Sequence, residues 1–145
     1  MRRACLESEQ TGMHFLGPTV LGIAATVFSA RDEQDRALER ATELLTAECP
    51  CHNHLWLHRD AISVFLDRGE WDRAARHVDM LEQYASRTRV TWATYHVRKG
   101  RLVTALRNRR PDRAERADIR ALLDTSRERG LAGEWPLLER LLDRM

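Results

Sequence analysis

The run Cys49-Pro50-Cys51-His52-Asn53-His54, with His58 one helical turn beyond His54, gathers two thiols and three imidazoles within ten residues. Such donors can close a tetrahedral zinc site, and histidines four residues apart share a helix face. The Cys-x-Cys spacing is tighter than the gap usual in structural zinc knuckles, and no second knuckle follows. Cys49, Cys51, His54 and His58 therefore define the alternative reading, a structural zinc-binding helical domain. The favoured reading assigns no metal and no cofactor: Asn53 caps a helix, and the imidazoles lie at a loop between repeats.

Other catalytic chemistry finds little footing. Cys51 and His77 could serve as nucleophile and base only if the fold brought them together. Acidic pairs such as Glu7/Glu9 and Asp32/Glu33 stand in solvated charge runs. The sequence has no Gly-rich stretch ending in Gly-Lys-Ser or Gly-Lys-Thr, no nucleophile elbow and no metalloprotease motif, and its sole lysine is Lys99. The expectation is a chain that is not an enzyme.

Composition says what kind of element must carry these residues. Of 145 residues, 32% are charged and 43% hydrophobic, the latter rich in Leu and Ala, a mixture that favours helix. The 24 basic and 22 acidic side chains alternate, as in Arg31-Asp32-Glu33-Gln34-Asp35-Arg36, and describe salt-bridged helix surfaces. Basic excess gathers from Arg98 to Arg116, but no aromatic residues are interleaved for base stacking, so nucleic acid is not the expected partner. Three cysteines make no disulfide framework, which points to the cytoplasm. Arg2-Arg3 and the uncharged stretch 15–30 imitate a signal peptide. Glu7, Glu9 and Gly17-Pro18 interrupt the imitation, and the stretch is too short for a membrane span of about 20 apolar residues.

One tripeptide organises the chain. Asp-Arg-Ala occurs at Asp35, Asp72 and Asp112, at separations of 37 and 40 residues, the spacing of helix-pair repeats. Helical stripes follow each copy: Ala37, Ala41, Leu44 and Leu45; Ala74, Val78 and Leu81; Ala114, Ala117, Ala121 and Leu122. A more apolar helix precedes each, at Pro18–Ala30, Leu55–Arg68 and Trp92–Asn108, with Pro18 in a first turn, Gly69 past a C-terminus and Thr91 as an N-cap. The predicted architecture is all-α, a single domain over 1–145 of tandem antiparallel helix pairs with about seven helices. It comprises a partial leading helix (1–12), pairs at 15–48, 54–88 and 92–130, and a capping helix (134–145). The unit from Leu55 to Thr88 places Trp71 and Ala74 at the turn of a tetratricopeptide-like repeat, although His58, Ala61 and Ile62 depart from the usual residues of its first helix.

The segments Thr11-Gly12-Met13-His14-Phe15-Leu16-Gly17-Pro18 with Val20-Leu21-Gly22, and His52-Asn53-His54-Leu55-Trp56 with Arg59-Asp60-Ala61-Ile62, carry a family resemblance. The chain resembles, from about Glu9 to Leu142, the C-terminal tetratricopeptide-like repeat region of bacterial proteins that join a class III adenylate or guanylate cyclase to an AAA-type ATPase. The resemblance implies a regulatory or partner-binding tail and brings over no catalytic residue. Ala4, Cys5 and Leu6, closed by Gly12, further suggest the last turns of a helix whose partner is missing, as in a detached C-terminal module.

A curved stack of helix pairs offers a groove along its inner helices to a peptide or partner helix. Trp56 and Tyr95 are the expected anchors there, with Arg59, Asp60, His96, Arg98 and Lys99 as polar contacts. The expected partner is a protein or peptide, including other domains of a parent protein, with no membrane involved; self-association through an exposed repeat end is a further expectation. A structural remnant without a ligand is the remaining alternative.

Overall fold

The computed structural model describes residues 16–45, 49, 51–88, 90–107, 109–131 and 135–143. These form seven α-helices, and no strand occurs among them. In chain order they are α1 Gly17–Val27, α2 Arg31–Leu44, α3 Cys51–Asp67, α4 Trp71–Thr88, α5 Thr91–Ala105, α6 Arg113–Glu128 and α7 Trp135–Leu142. The expected leading helix at 1–12 lies outside the described residues.

Periodic apolar stripes fold against one another in sequence. α1 packs on α2 and on α3, α3 packs on α4, and α4 packs on α5. The third pair is looser: α5 lies mainly against α4, while α6 touches α5 over a short stretch and is covered by α7. One core runs through these contacts, with Ala37, Leu38 and Ala41 from α2, Ile62 and Phe65 from α3, Val78 and Leu81 from α4, and Val103 from α5. Small residues set the approach of the helices. A Cβ at Gly22 would stand 3.1 Å from Asp60 Oδ2, and one at Gly100 would stand 2.4 Å from Val78 Cγ2. Glycine at these places lets α1 close on α3, and α5 close on α4.

The α3 to α4 turn is the expected glycine stop. Gly69 has φ of 70°, its N–H donates to Leu66 O at 3.2 Å, and the N–H of Glu70 donates to Phe65 O at 2.8 Å. These paired bonds satisfy the last carbonyls of α3. Gly130 ends α6 in the same way, with Leu131 N–H on Ser126 O at 2.8 Å.

Three local expectations change. α3 begins at Cys51, so Asn53 lies within the helix and is no cap; it is buried and accepts from Thr19 Oγ1 at 2.6 Å, tying α3 to α1. Thr91 is the first residue of α5, after Val90 at the N-cap, and no side chain caps that end. In α6, Ala114, Ala117 and Ala121 are exposed, whereas Ile119, Leu122, Leu123 and Ser126 are buried. The third tripeptide serves its own helix instead of a junction. Asp112 is an N-cap that accepts from Glu115 N–H at 2.9 Å, while the Glu115 carboxylate accepts from Asp112 N–H at 2.9 Å. This reciprocal capping box satisfies N–H groups at the start of α6, and the buried stripe begins at Ile119.

The first two copies act between units. Asp35 on α2 accepts from Arg68 at 2.9 Å and from Arg73 at 3.0 Å. Arg73 also reaches Glu70 at 2.8 Å, and Arg31 joins the same carboxylate. The guanidinium of Arg73 lies 4.1 Å over the Phe65 ring, so the charges are held against the core. At the next junction the second copy repeats the device with Asp72 and Arg107, 3.4 Å apart.

Candidate functional site

Two helices of the stack, α3 and α5, bring aromatic and cationic side chains together. Trp56 is in the second turn of α3 and Trp92 in the first turn of α5; their rings lie 4.9 Å apart, tilted by 39°. Both are partly buried, so each packs while keeping an open edge. Arg59, one turn beyond Trp56, sets its guanidinium 4.2 Å over the indole and donates from Nε to Asp60 Oδ1 at 2.8 Å. The carboxylate fixes the guanidinium plane while the ring covers its face. Trp92 meets His96 edge-on at 5.2 Å, and His96 meets Tyr95 edge-on at 5.3 Å.

Burial divides the residues expected to line the groove. Trp56, Arg59 and Arg98 retain exposed surface. Asp60, Tyr95, His96 and Lys99 are buried and are interior residues in this structure, not surface contacts. On α5, residues 92, 95, 96, 99 and 103 share one side of the helix, and among them Trp92 alone is only partly buried. Burial, assisted by the charges of Lys99 and Arg59, pushes the His96 imidazole down to about 2, so it is neutral. Trp92 is not among the contacts expected from sequence. Its place in the first turn of an inner helix, one repeat length after Trp56, is the signal that could have found it.

Arg98 belongs to a second feature, a cleft of about 380 Å³ among α4, α5 and α6. Val97 and Leu122 supply apolar floor, Arg98 and Arg101 stand on the α5 wall, and Glu115 and Asp118 stand on the α6 wall. Arg101 is held by Asp79 at 2.6 Å and by Glu82 at 2.5 Å.

Of the histidines expected at an inter-repeat loop, His54 and His58 are instead inside the α3/α4 hairpin. His54 stacks on Tyr84 at 4.1 Å, and His58 Nδ1 lies 3.0 Å from His77 Nδ1. Burial pushes His58 to about 3, with further lowering from His77 and His54, and burial with Arg73 and Arg76 pushes His77 to about 4. The imidazoles are therefore neutral and can share one N–H between the two Nδ1 atoms. No group of three or more His, Cys, Asp or Glu side chains among the described residues is placed to hold a metal ion. Of the alternative zinc set, Cys49 accepts from Asn53 Nδ2 at 3.2 Å, and the Cys51 side chain lies outside the described ones.

No described helix is long and apolar enough to cross a membrane. On α1 and the residue before it, Leu16, Ile23 and Val27 remain exposed. Comparison with protein-family models, with curated proteins and with solved structures finds no match to this chain.

Proposed function

We propose that the chain is a non-catalytic helical-repeat module that binds a protein or peptide segment across α3 and α5. The observation that carries this reading is the convergence of Trp56 and Trp92 from successive repeats, with Arg59 stacked on the first ring. Tryptophan and arginine dominate binding hot spots, where each offers a flat face and a directed polar edge. Arg59 keeps part of its side chain exposed beside the two rings. Both indoles remain partly exposed. The C-terminal helix α7 packs on α6 alone among the described helices and leaves this surface uncovered by its own turns.

The resemblance to the repeat tails of cyclase–ATPase proteins supports a regulatory setting, in which the segment bound is another domain of a larger signalling protein. Its residues from Thr11 to Phe15 lie outside the described ones.

The test pairs affinity capture with indole fluorescence. Crosslinked partners of the native chain are compared with those of Trp92→Ala and Arg59→Ala variants that retain native helicity. A partner captured by the native chain, released by both variants and shifting the indole emission when added back in pure form supports the reading. Partners retained equally by both variants would remove this surface, and the absence of any specific partner would leave a structural element acting only within a longer chain.

A further inference from the structure

We propose that the N-terminal half of α6 is a docking face for an acidic amphipathic helix of a partner protein. Elsewhere in the chain the arginines between helices meet carboxylates, as at Asp35, Glu70 and Asp79. On α6, Arg113, Arg116 and Arg120 have no acidic partner among the described residues. Arg113 and Arg120 are exposed, and Arg116 donates from Nε to Pro111 O at 3.3 Å. Spacings of three and four set the three in one row along about 10 Å of the helix.

The acids of the same region are engaged elsewhere. Asp112 and Glu115 close the capping box, Glu115 also holds Arg109, and Asp118 stands on the opposite flank, in the wall of the cleft shared with α5. Beyond the row, Arg127 takes up Asp124 and Glu139, each at 3.6 Å. The row stands at the start of α6, where the positive end of the helix dipole adds to its field, so the face attracts an anionic partner. Shape selects a helix as that partner. Ala114, Ala117 and Ala121 are exposed beside the row and form a crest without bulk. The alanines after the first two tripeptides, Ala37 and Ala41 on α2 and Ala74 on α4, are buried among neighbouring helices. The third copy carries the same kind of stripe with no described helix over it. A helix can approach an alanine crest to about 8 Å between axes, and carboxylates three and four residues apart on it then reach the arginines. Nucleic acid fits less well, since α6 has no aromatic side chain to take a base. The face spans only two turns, so the contact is weak and fades as salt rises.

The probe is a synthetic helical peptide of leucine, alanine and glutamate, with glutamates three and four residues apart along one flank, titrated at low salt into the full ¹⁵N-labelled chain. Binding should shift the amide signals of α6, and Arg113→Glu/Arg120→Glu should weaken it about tenfold or more at native helicity. Should that variant disturb the fold, Arg113→Gln/Arg120→Gln takes its place. Arg76→Glu, at an exposed position on α4, should leave binding unchanged. Ala117→Arg separates docking from general attraction, because it adds a cation yet obstructs the crest: docking predicts weaker binding. No binding of the peptide, binding indifferent to loss of the two arginines, or binding strengthened by Ala117→Arg each overturns the proposal. Equal affinity for an unstructured poly-glutamate of the same charge, or tighter affinity for a single-stranded oligonucleotide, also overturns it and assigns the row to polyanions of another class.

Discussion

The same tripeptide stands at two junctions of the stack and does different physical work at each. Between α2 and the α3/α4 turn, Asp35 meets Arg68 and Arg73 with side chains 29%, 11% and 34% exposed, and Glu70 and Arg31 complete the network. Between α4 and the end of α5, Asp72 meets Arg107 at 3.4 Å with side chains 88% and 51% exposed. Hydrogen bonds from Arg68 and Arg73 hold the Asp35 carboxyl below its ordinary value; burial pushes Glu70 up, but its arginine hydrogen bonds outweigh that and leave it lowered. No comparable enclosure surrounds Asp72. The first junction is an ionic clamp held against an aromatic ring; the second depends on close packing at Gly100, where α5 meets Val78 and Ile62. A repeated sequence sign thus fixes where a contact forms, while burial fixes what the contact is worth.

Acid should produce the largest effect and should act on both sides of α3. His58 and His77 lie in the α3/α4 hairpin, and His96 lies between α3 and α5, with folded values of about 3, 4 and 2 against an ordinary 6.5. The unfolded chain takes up protons that the folded chain refuses. Stability is therefore full above about pH 6.5 and is lost as pH falls toward the folded values. At pH 5 the loss is roughly 2 kcal/mol for each histidine that stays neutral when folded. Urea unfolding at pH 7 and pH 5 measures it, and equal stability at the two values would mean that the imidazoles are protonated or solvated in the fold.

Removing the clamp separates the junctions. Asp35→Ala leaves Arg68 half-enclosed without its main partner and should cost roughly 1–3 kcal/mol, reduced from the fully buried case because water reaches part of the network. Denaturant midpoints at low and high salt provide the check: the variant should lose most of the salt dependence that the native chain shows. Gly100→Ala should cost a similar or smaller amount, about 1–2 kcal/mol, by forcing a methyl against Val78. Gly100→Ala should cost less in a Val78→Ala background than in the native chain, since the truncation makes room for the added methyl. A loss that the double variant does not relieve would mean that α5 shifts bodily.

Helix type and the glycine stop after α3 are legible in the sequence because they follow from apolar periodicity and turn chemistry within single segments. The placement of Ala37 and Ala74 in the core follows from the same stripes. The third stripe misleads because Asp112 can serve a helix either as an inter-repeat acid or as an N-cap, and the Glu115 capping box decides for the cap. The candidate surface is only half legible. Periodicity places His96 and Lys99 on an inner helix but does not say which side of that helix another element covers, and both are buried. The His58–His77 contact joins residues on two helices across a turn, so spacing within one segment points to the thiols instead.

The smallest expected effect is the most discriminating. Asp72→Ala removes the counterpart of Asp35 in sequence, but both partners there are exposed and their separation is long. Exposed pairs of this kind contribute roughly 0–0.5 kcal/mol once screening and side-chain entropy are included. The Asp72→Ala midpoint should therefore lie within that margin of the native one, while Asp35→Ala measured beside it falls well outside. Equal losses from both would show that the tripeptide acts by position alone and that the enclosure around Arg68 adds nothing.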